Sequence, residues 1–204
     1  TGNDDDQIDC TFGWRGKVQF AVAAPLNSCD TAFEHDNNEE NFYALPNKEV
    51  AYYNVTSING VNSGSQGARM RRGTHAAFYN AYFAGESDGS QDNKCLYSEN
   101  ANSEVTVDYS IFEQCGTGYS TTDTGVLTAG SNVTVSATPS YIDLAPFASY
   151  AALATAGANA FLPGTLNTTA ATPPNDGFFD TTATFIGAVG STNWLSGWTE
   201  FPAN

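Results

Sequence analysis

The chain has 204 residues and carries 22 acidic against 7 basic side chains, a net charge of −15 with both histidines neutral. A surface this negative repels phosphate and excludes an electrostatic nucleic-acid binder. Charged residues are only 14% of the chain, so most of its polar surface must be Asn, Ser, Thr and Gly, the composition of an exported, β-rich, turn-rich protein. The 13 Phe, 10 Tyr and 3 Trp supply a core of single-domain size. The longest weakly apolar stretch, Leu144 to Phe161, is interrupted by Pro146 and falls short as a membrane-spanning helix. The start, Thr1-Gly2-Asn3, has neither an initiator Met nor a signal peptide and is expected to be a mature form or a fragment.

In chain order, strands are predicted over Lys17 to Ala23, Glu49 to Val55, Ala68 to Arg72, Glu104 to Ile111, Asn132 to Ala137 and Thr181 to Val189, with Gly, Asn, Asp and Ser clusters between them. Ser140 to Ala160 has room for a short helix whose start Pro146 limits. Phe161 to Asp176, with Pro163, Pro173 and Pro174, reads as an extended segment packed along the outside of the main body. The aromatic tail, Phe178, Phe179, Phe185, Trp194, Trp198 and Phe201, is expected to dock as a cap.

A loose repeat organises the first part of the chain. Tyr53-Asn54-Val55-Thr56-Ser57-Ile58 is echoed by Tyr79-Asn80-Ala81-Tyr82-Phe83-Ala84 and by Tyr109-Ser110-Ile111-Phe112-Glu113-Gln114, at offsets of 26 and 30 residues. Such spacing suits a β-solenoid, in which each coil returns the chain one strand spacing further along the axis. The expected fold is therefore all-β: a short right-handed parallel β-helix as one domain, with coils over 1–137 and an extended segment and C-terminal aromatic cap over 138–204. The competing antiparallel sandwich needs tight two-residue turns, and the sequence offers few.

Cys10, Cys29, Cys95 and Cys115 form no CxxC or Cys/His cluster, so zinc is not indicated. The simplest of three connectivities bridges Cys10 to Cys29 and Cys95 to Cys115, which points to an oxidising compartment. Asn54, Asn132 and Asn167 head Asn-x-Ser/Thr triplets and are glycosylation candidates, although a chain this rich in Asn and Thr produces such triplets by chance.

Asp4-Asp5-Asp6-Gln7-Ile8-Asp9, Phe12-Gly13-Trp14-Arg15-Gly16-Lys17-Val18-Gln19-Phe20, Ala68-Arg69-Met70-Arg71-Arg72-Gly73-Thr74, and the ending Phe185-Ile186-Gly187-Ala188-Val189-Gly190 with Asn193-Trp194-Leu195-Ser196-Gly197-Trp198-Thr199 carry a resemblance. In this order they resemble the C-terminal half of a large, mostly uncharacterised group of secreted bacterial proteins, themselves similar to right-handed parallel β-helix proteins of the pectate-lyase-like type. The resemblance implies a fold and an extracellular or cell-surface address, and fold alone does not carry chemistry. Members of that group carry further coils upstream of the Asp-rich segment. Their absence here leads to the expectation that a second subunit, or the upstream part of the same precursor, covers the first coil.

Candidate chemistry is sparse. Asp4, Asp5, Asp6 and Asp9, with Glu34 and Asp36 further on, offer hard oxygen ligands suited to Ca²⁺, against the commoner reading of solvated acidic turns. Arg69, Arg71 and Arg72 form the basic cluster and, with His75, would bind an acidic glycan; alternatively the arginines pair with the abundant carboxylates. On a strand Arg69 and Arg71 share one face and Arg72 takes the other. Trp14, Tyr52, Tyr53, Tyr79 and Tyr82 either stack on sugars or form ladders between coils. No nucleophile set, phosphate loop or dinucleotide fingerprint is recognisable. The favoured function is a non-enzymatic extracellular or cell-surface structural protein, self-associating as a fibre or sheath subunit. The alternative is a carbohydrate-binding or polysaccharide-degrading β-helix module.

Overall fold

The computed structural model describes residues 5–26, 30–60, 66–85 and 94–201. The chain climbs through five coils of three strands each. The first holds β1 (Ile8–Cys10), β2 (Arg15–Gln19) and β3 (Val22–Ala23), and the second holds β4 (Thr31–Asp36), β5 (Glu49–Tyr53) and β6 (Thr56–Ile58). Next come β7 (Gln66–Arg71), β8 (His75–Tyr79) and β9 (Tyr82–Ala84), then β10 (Lys94–Glu99), β11 (Glu104–Asp108) and β12 (Ile111–Glu113). The last coil is β13 (Gly118–Thr122), β14 (Val126–Ala129) and β15 (Thr134–Ser136). Corresponding strands stack in parallel into three five-stranded sheets: sheet A from β1, β4, β7, β10 and β13, sheet B from β2, β5, β8, β11 and β14, and sheet C from β3, β6, β9, β12 and β15. This is the parallel β-helix that the repeat predicts, and no antiparallel pair of strands occurs among the described residues.

Lys17 to Ala23 and Glu104 to Ile111 are each two strands, because one left-handed residue turns the corner between sheets B and C. Phe20, Asn54, Asn80 and Tyr109 hold φ of 61°, 52°, 55° and 47° at the equivalent position. Asn enters this region at low cost because its short amide bonds locally. The same corner corrects the repeat. Tyr53 pairs with Tyr79, but Tyr79 pairs with Asp108, so Tyr109 occupies the Asn position and the third match is shifted by one residue. Gly73 fixes the A-to-B corner, with φ of 90° and Phe42 O only 1.9 Å from where a Cβ would sit.

Alternation decides what the interior holds. On sheet B the inward row Val18, Tyr52, Phe78, Val107 and Ala129 stacks coil on coil, with the Tyr52 and Phe78 rings 4.8 Å apart and 3° from parallel. Phe83 and Phe112 repeat this on sheet C at 5.1 Å. The ladder reading therefore holds for Tyr52, whereas Tyr82 is buried on sheet C between Thr56 and Ile111 of the neighbouring coils, with its ring against Tyr141. Tyr53 and Tyr79 stack on each other outside sheet B, with Phe179 against Tyr53.

Sheet C is buried on both faces, so β6, β9 and β12 show unbroken burial where β8 and β11 alternate. Its outer cover is the segment after β15, through Tyr141, Ile142, Phe147, Leu153, Phe161, Ile186, Val189 and Leu195. This includes helix α1 (Tyr150–Ala156), N-capped by the Ser149 hydroxyl, which accepts from Ala152 N at 3.1 Å; a 3₁₀ turn over Ala145–Ala148 precedes it and absorbs Pro146. Buried Glu113 anchors the start of the cover by accepting from Tyr82 Oη at 2.8 Å, Ser140 N at 3.0 Å and Ser140 Oγ at 2.9 Å. Two expectations are corrected here. Thr181 to Val189 forms no strand: its backbone bonds to coil corners, with Ala183 O accepting from Asn54 Nδ2 at 3.1 Å and Gly187 N donating to Asn80 O at 2.8 Å. The aromatic tail also does not cap an end. It lies along the flank, where Trp194 and Phe201 pack on the apolar outer side of sheet C and Phe179 on Tyr53 of sheet B.

Cys95 and Cys115 are bridged, with Cα atoms 5.4 Å apart, tying β10 to the turn that ends the fourth coil. Cys10 is a free thiol among the described residues, and its expected partner Cys29 lies outside them, as does Asp4.

Candidate functional site

The outer faces of sheets A and B carry most of the candidate side chains, and they differ. On sheet A, outward Glu34 pairs in register with Arg69, and Asp36 with Arg71. Arg71 donates from Nε to Asp36 Oδ1 at 2.6 Å, from Nη2 to Asp36 Oδ2 at 3.1 Å, and from Nη2 to Glu34 Oε1. Arg69 clamps Glu99 through Nε at 2.7 Å and Nη2 at 3.2 Å, and its Nη1 lies 3.6 Å from Glu34 Oε2. Arg72 does not turn to the opposite face: its φ of 54° swings it back to the same acidic row, where Nη1 donates to Asp36 Oδ2 at 2.7 Å. The arginines therefore spend their forks on protein carboxylates, and Glu34 and Asp36 are guanidinium partners rather than open ligands. Burial pushes the Glu34 carboxyl up to about 7 even with Arg71 and Arg69 beside it.

His75 belongs to a different surface. On sheet B the outward rows are Arg15, Glu49, His75, Glu104 and Val126, and Lys17, Ala51, Ala77, Thr106 and Thr128. All of these but Val126 and Thr128 border an open cleft of about 410 Å³, with Ala51 and Ala77 on its floor. Asn47 Nδ2 lies 3.3 Å from His75 Nε2, and Arg15 pairs with Glu49 at the exposed edge. Glu49 and Glu104 sit two strands apart in one row with His75 between them, roughly 9.5 Å by strand spacing. That is near the upper limit of the separation at which paired carboxylates can act as acid and base around a water.

Sequence reasoning missed a buried polar group inside the first two coils. His35 stands in register with Cys10 and points inward, bonded to the Tyr52 hydroxyl. Fully buried Lys48 lies with Nζ 4.9 Å from the centre of the Trp14 ring. Burial, then Lys48, push the His35 pKa down to about 3, and burial pushes Lys48 down to about 8. Only the inward alternation of β4 hints at His35 in the sequence. Nothing local marks Lys48.

Of the glycosylation candidates, Asn54 is fully buried with its amide bonded to the tail, so the folded chain has no room for a glycan there. Asn132 and Asn167 are half-buried; Asn132 N donates to Asp108 Oδ1 at 3.0 Å, and Asn167 Oδ1 accepts from Thr169 N at 2.9 Å.

The family model described as a pectate-lyase-like β-helix domain matches residues 1–160. No curated protein and no solved structure matches the chain.

Proposed function

The chain belongs to the pectate-lyase-like β-helix domain family, and from that premise we propose that it is an extracellular module holding an extended polysaccharide against the outer face of sheet B. The observation that carries this reading is the cleft itself. Its Ala51 and Ala77 floor lets a sugar ring approach the sheet, while Glu49, His75, Glu104 and Thr106 offer donors and acceptors beside it and Arg15 and Lys17, at exposed edges, pair with Glu49 and Asp176. Rows one strand spacing apart, about 4.8 Å, suit a ligand that itself repeats along the axis. The arginine cluster of sheet A is discounted because its donors are already engaged. Binding ranks ahead of hydrolysis because Arg15 holds Glu49. The test is retention on immobilised acidic and neutral polysaccharides, with Lys17→Ala/His75→Ala as the comparison. No retention of the parent, or equal retention of the variant, sinks the reading, and new reducing or unsaturated ends would make the module an enzyme.

A second reading, a self-associating fibre or sheath subunit, draws on one further observation. The outer edges of β13, β14 and β15 pair with no strand among the described residues, and Val126 and Val135 there are 52% and 42% exposed. Unpaired edges template further pairing, and a head-to-tail contact that does not close grows into a filament. Sizing across protein concentration distinguishes the two: a monomer throughout, unchanged by Val126→Lys, removes the fibre reading and leaves the glycan reading standing.

A further inference from the structure

We propose that the polysaccharide held against sheet B is an uncharged one, and that the cleft turns away polymers of acidic sugars. The proposal rests on the glycan reading above and names its ligand class. Of the 7 basic residues in the protein, only Arg15 and Lys17 border the cleft. Arg69, Arg71 and Arg72 are held by Glu34, Asp36 and Glu99 on sheet A. Fully buried Lys48 lies against the Trp14 ring, and Lys94 belongs to β10 of sheet A.

Both cations at the cleft are engaged, Arg15 with Glu49 and Lys17 Nζ with Asp176 Oδ2 at 2.6 Å. Exposed pairs of this kind are weak, so an acidic sugar can displace one. The exchange gains nothing, because a protein carboxylate is released beside the carboxylate that replaces it, in a protein whose net charge of −15 repels polyanions at long range. A polyuronate therefore finds no surplus cation along this face.

The open groups lie at the other end of the cleft. Glu104 and Thr106 share the outward face of β11, with His75 and Ala77 in register with them on β8. Glu104 is exposed, and its carboxylate has no partner among the described residues. Asn47 Nδ2 occupies His75 Nε2 and leaves Nδ1 to a ligand. A carboxylate, a hydroxyl and an imidazole thus stand beside the Ala77 floor within one strand spacing, about 4.8 Å. That set suits a sugar ring whose rim carries hydroxyls alone. Glu104 accepts from them in charge-assisted bonds, roughly twice as strong as neutral ones, whereas a uronate sets its own carboxylate against Glu104. A polymer of amino sugars satisfies Glu104 but meets Arg15 and Lys17 on β2, at the far end of the same sheet face. A polymer with repeating charge of either sign is opposed somewhere along the cleft, and an uncharged one is not.

The experiment is retention of the intact protein on immobilised glucan, mannan and xylan, on polygalacturonate and on chitosan, at about 0.01 M and about 1 M NaCl, which shortens the screening length from about 30 Å to about 3 Å. The expected result is retention on at least one uncharged polymer at both salt levels and none on polygalacturonate. Any hold on chitosan at low salt should vanish at high salt. Glu104→Gln should weaken retention on the uncharged polymer several-fold, and Glu104→Lys should create retention on polygalacturonate that salt abolishes. Glu104 is exposed, so both variants should melt like the parent. Retention of the parent on polygalacturonate, salt-resistant retention on chitosan, or a Glu104→Gln variant indistinguishable from the parent would each overturn the ligand class and leave the cleft reading to its own Lys17→Ala/His75→Ala test. Retention on none of the polymers ends both.

Discussion

Sheets A and B of the same β-helix present charged rows built by the same period-two alternation, yet they do opposite things with them. On sheet A an acidic residue in one coil meets an arginine in the next, Glu34 against Arg69 and Asp36 against Arg71, and the charges are spent inside the protein. On sheet B the outward positions mix Arg15, Glu49, His75 and Glu104 with alanines and threonines; Arg15 and Glu49 pair there at an exposed edge, and His75 and Glu104 face a cleft. A β-helix therefore distributes stability and recognition among faces by which residue lands one coil above another. The number of charges on a face does not decide it.

The largest effect that tests this contrast is Arg71→Ala. It leaves buried Glu34 and Asp36 short of their shared cation, and breaking a buried pair from one side costs about 3–5 kcal/mol. Urea unfolding of the variant reads this directly; a loss under about 1 kcal/mol would show that sheet A's network is ornamental. Protonation gives the next effect. A carboxyl raised when folded lets the native state hold a proton that the unfolded state has lost. Glu34, raised to about 7, therefore costs stability as pH climbs from its unfolded value near 4.5 to about 7, with Asp6, raised to about 6, adding to the cost over the lower part of that window. His35 acts in the opposite sense: held neutral down to about 3, it withdraws stability as pH falls below its unfolded value near 6.5. Each slope is on the order of 1 kcal/mol per pH unit. Melting of the parent should therefore drop between about pH 4 and 6, where Glu34 and Asp6 together outweigh His35, and level off above, whereas Glu34→Gln should stay nearly flat over that range because Asp6 and His35 oppose each other. A Glu34→Gln profile parallel to the parent's would remove the carboxyl's part.

Smaller effects are expected on sheet B. Lys17→Ala/His75→Ala should weaken polysaccharide retention several-fold while moving unfolding by less than about 1 kcal/mol, since neither side chain is buried. The smallest belongs to Arg15→Ala, whose exposed pair with Glu49 is worth well under 1 kcal/mol and should fade with added salt. A larger loss there would erase the distinction between the two faces.

The sequence by itself determined the all-β class and the coil rhythm, but the left-handed corners at Phe20 and Tyr109 stayed hidden inside stretches read as single strands. Alternation and a recurring Tyr-Asn spacing are local features that survive being read one residue at a time. It also identified the arginine cluster, with an acidic glycan and unspecified protein carboxylates as its alternative partners. Only the tertiary structure decided between them, because Arg71 meets Glu34 and Asp36 across separations of 37 and 35 residues that a one-residue slip in register would undo. The same holds for Thr181 to Val189, whose strand-like pattern is overruled by bonds to the corners at Asn54 and Asn80. The aromatic tail shows the limit most plainly. Its composition demanded burial, but which surface it would cover depended on sheet C leaving an apolar outer face, and that face exists only once the coils have stacked.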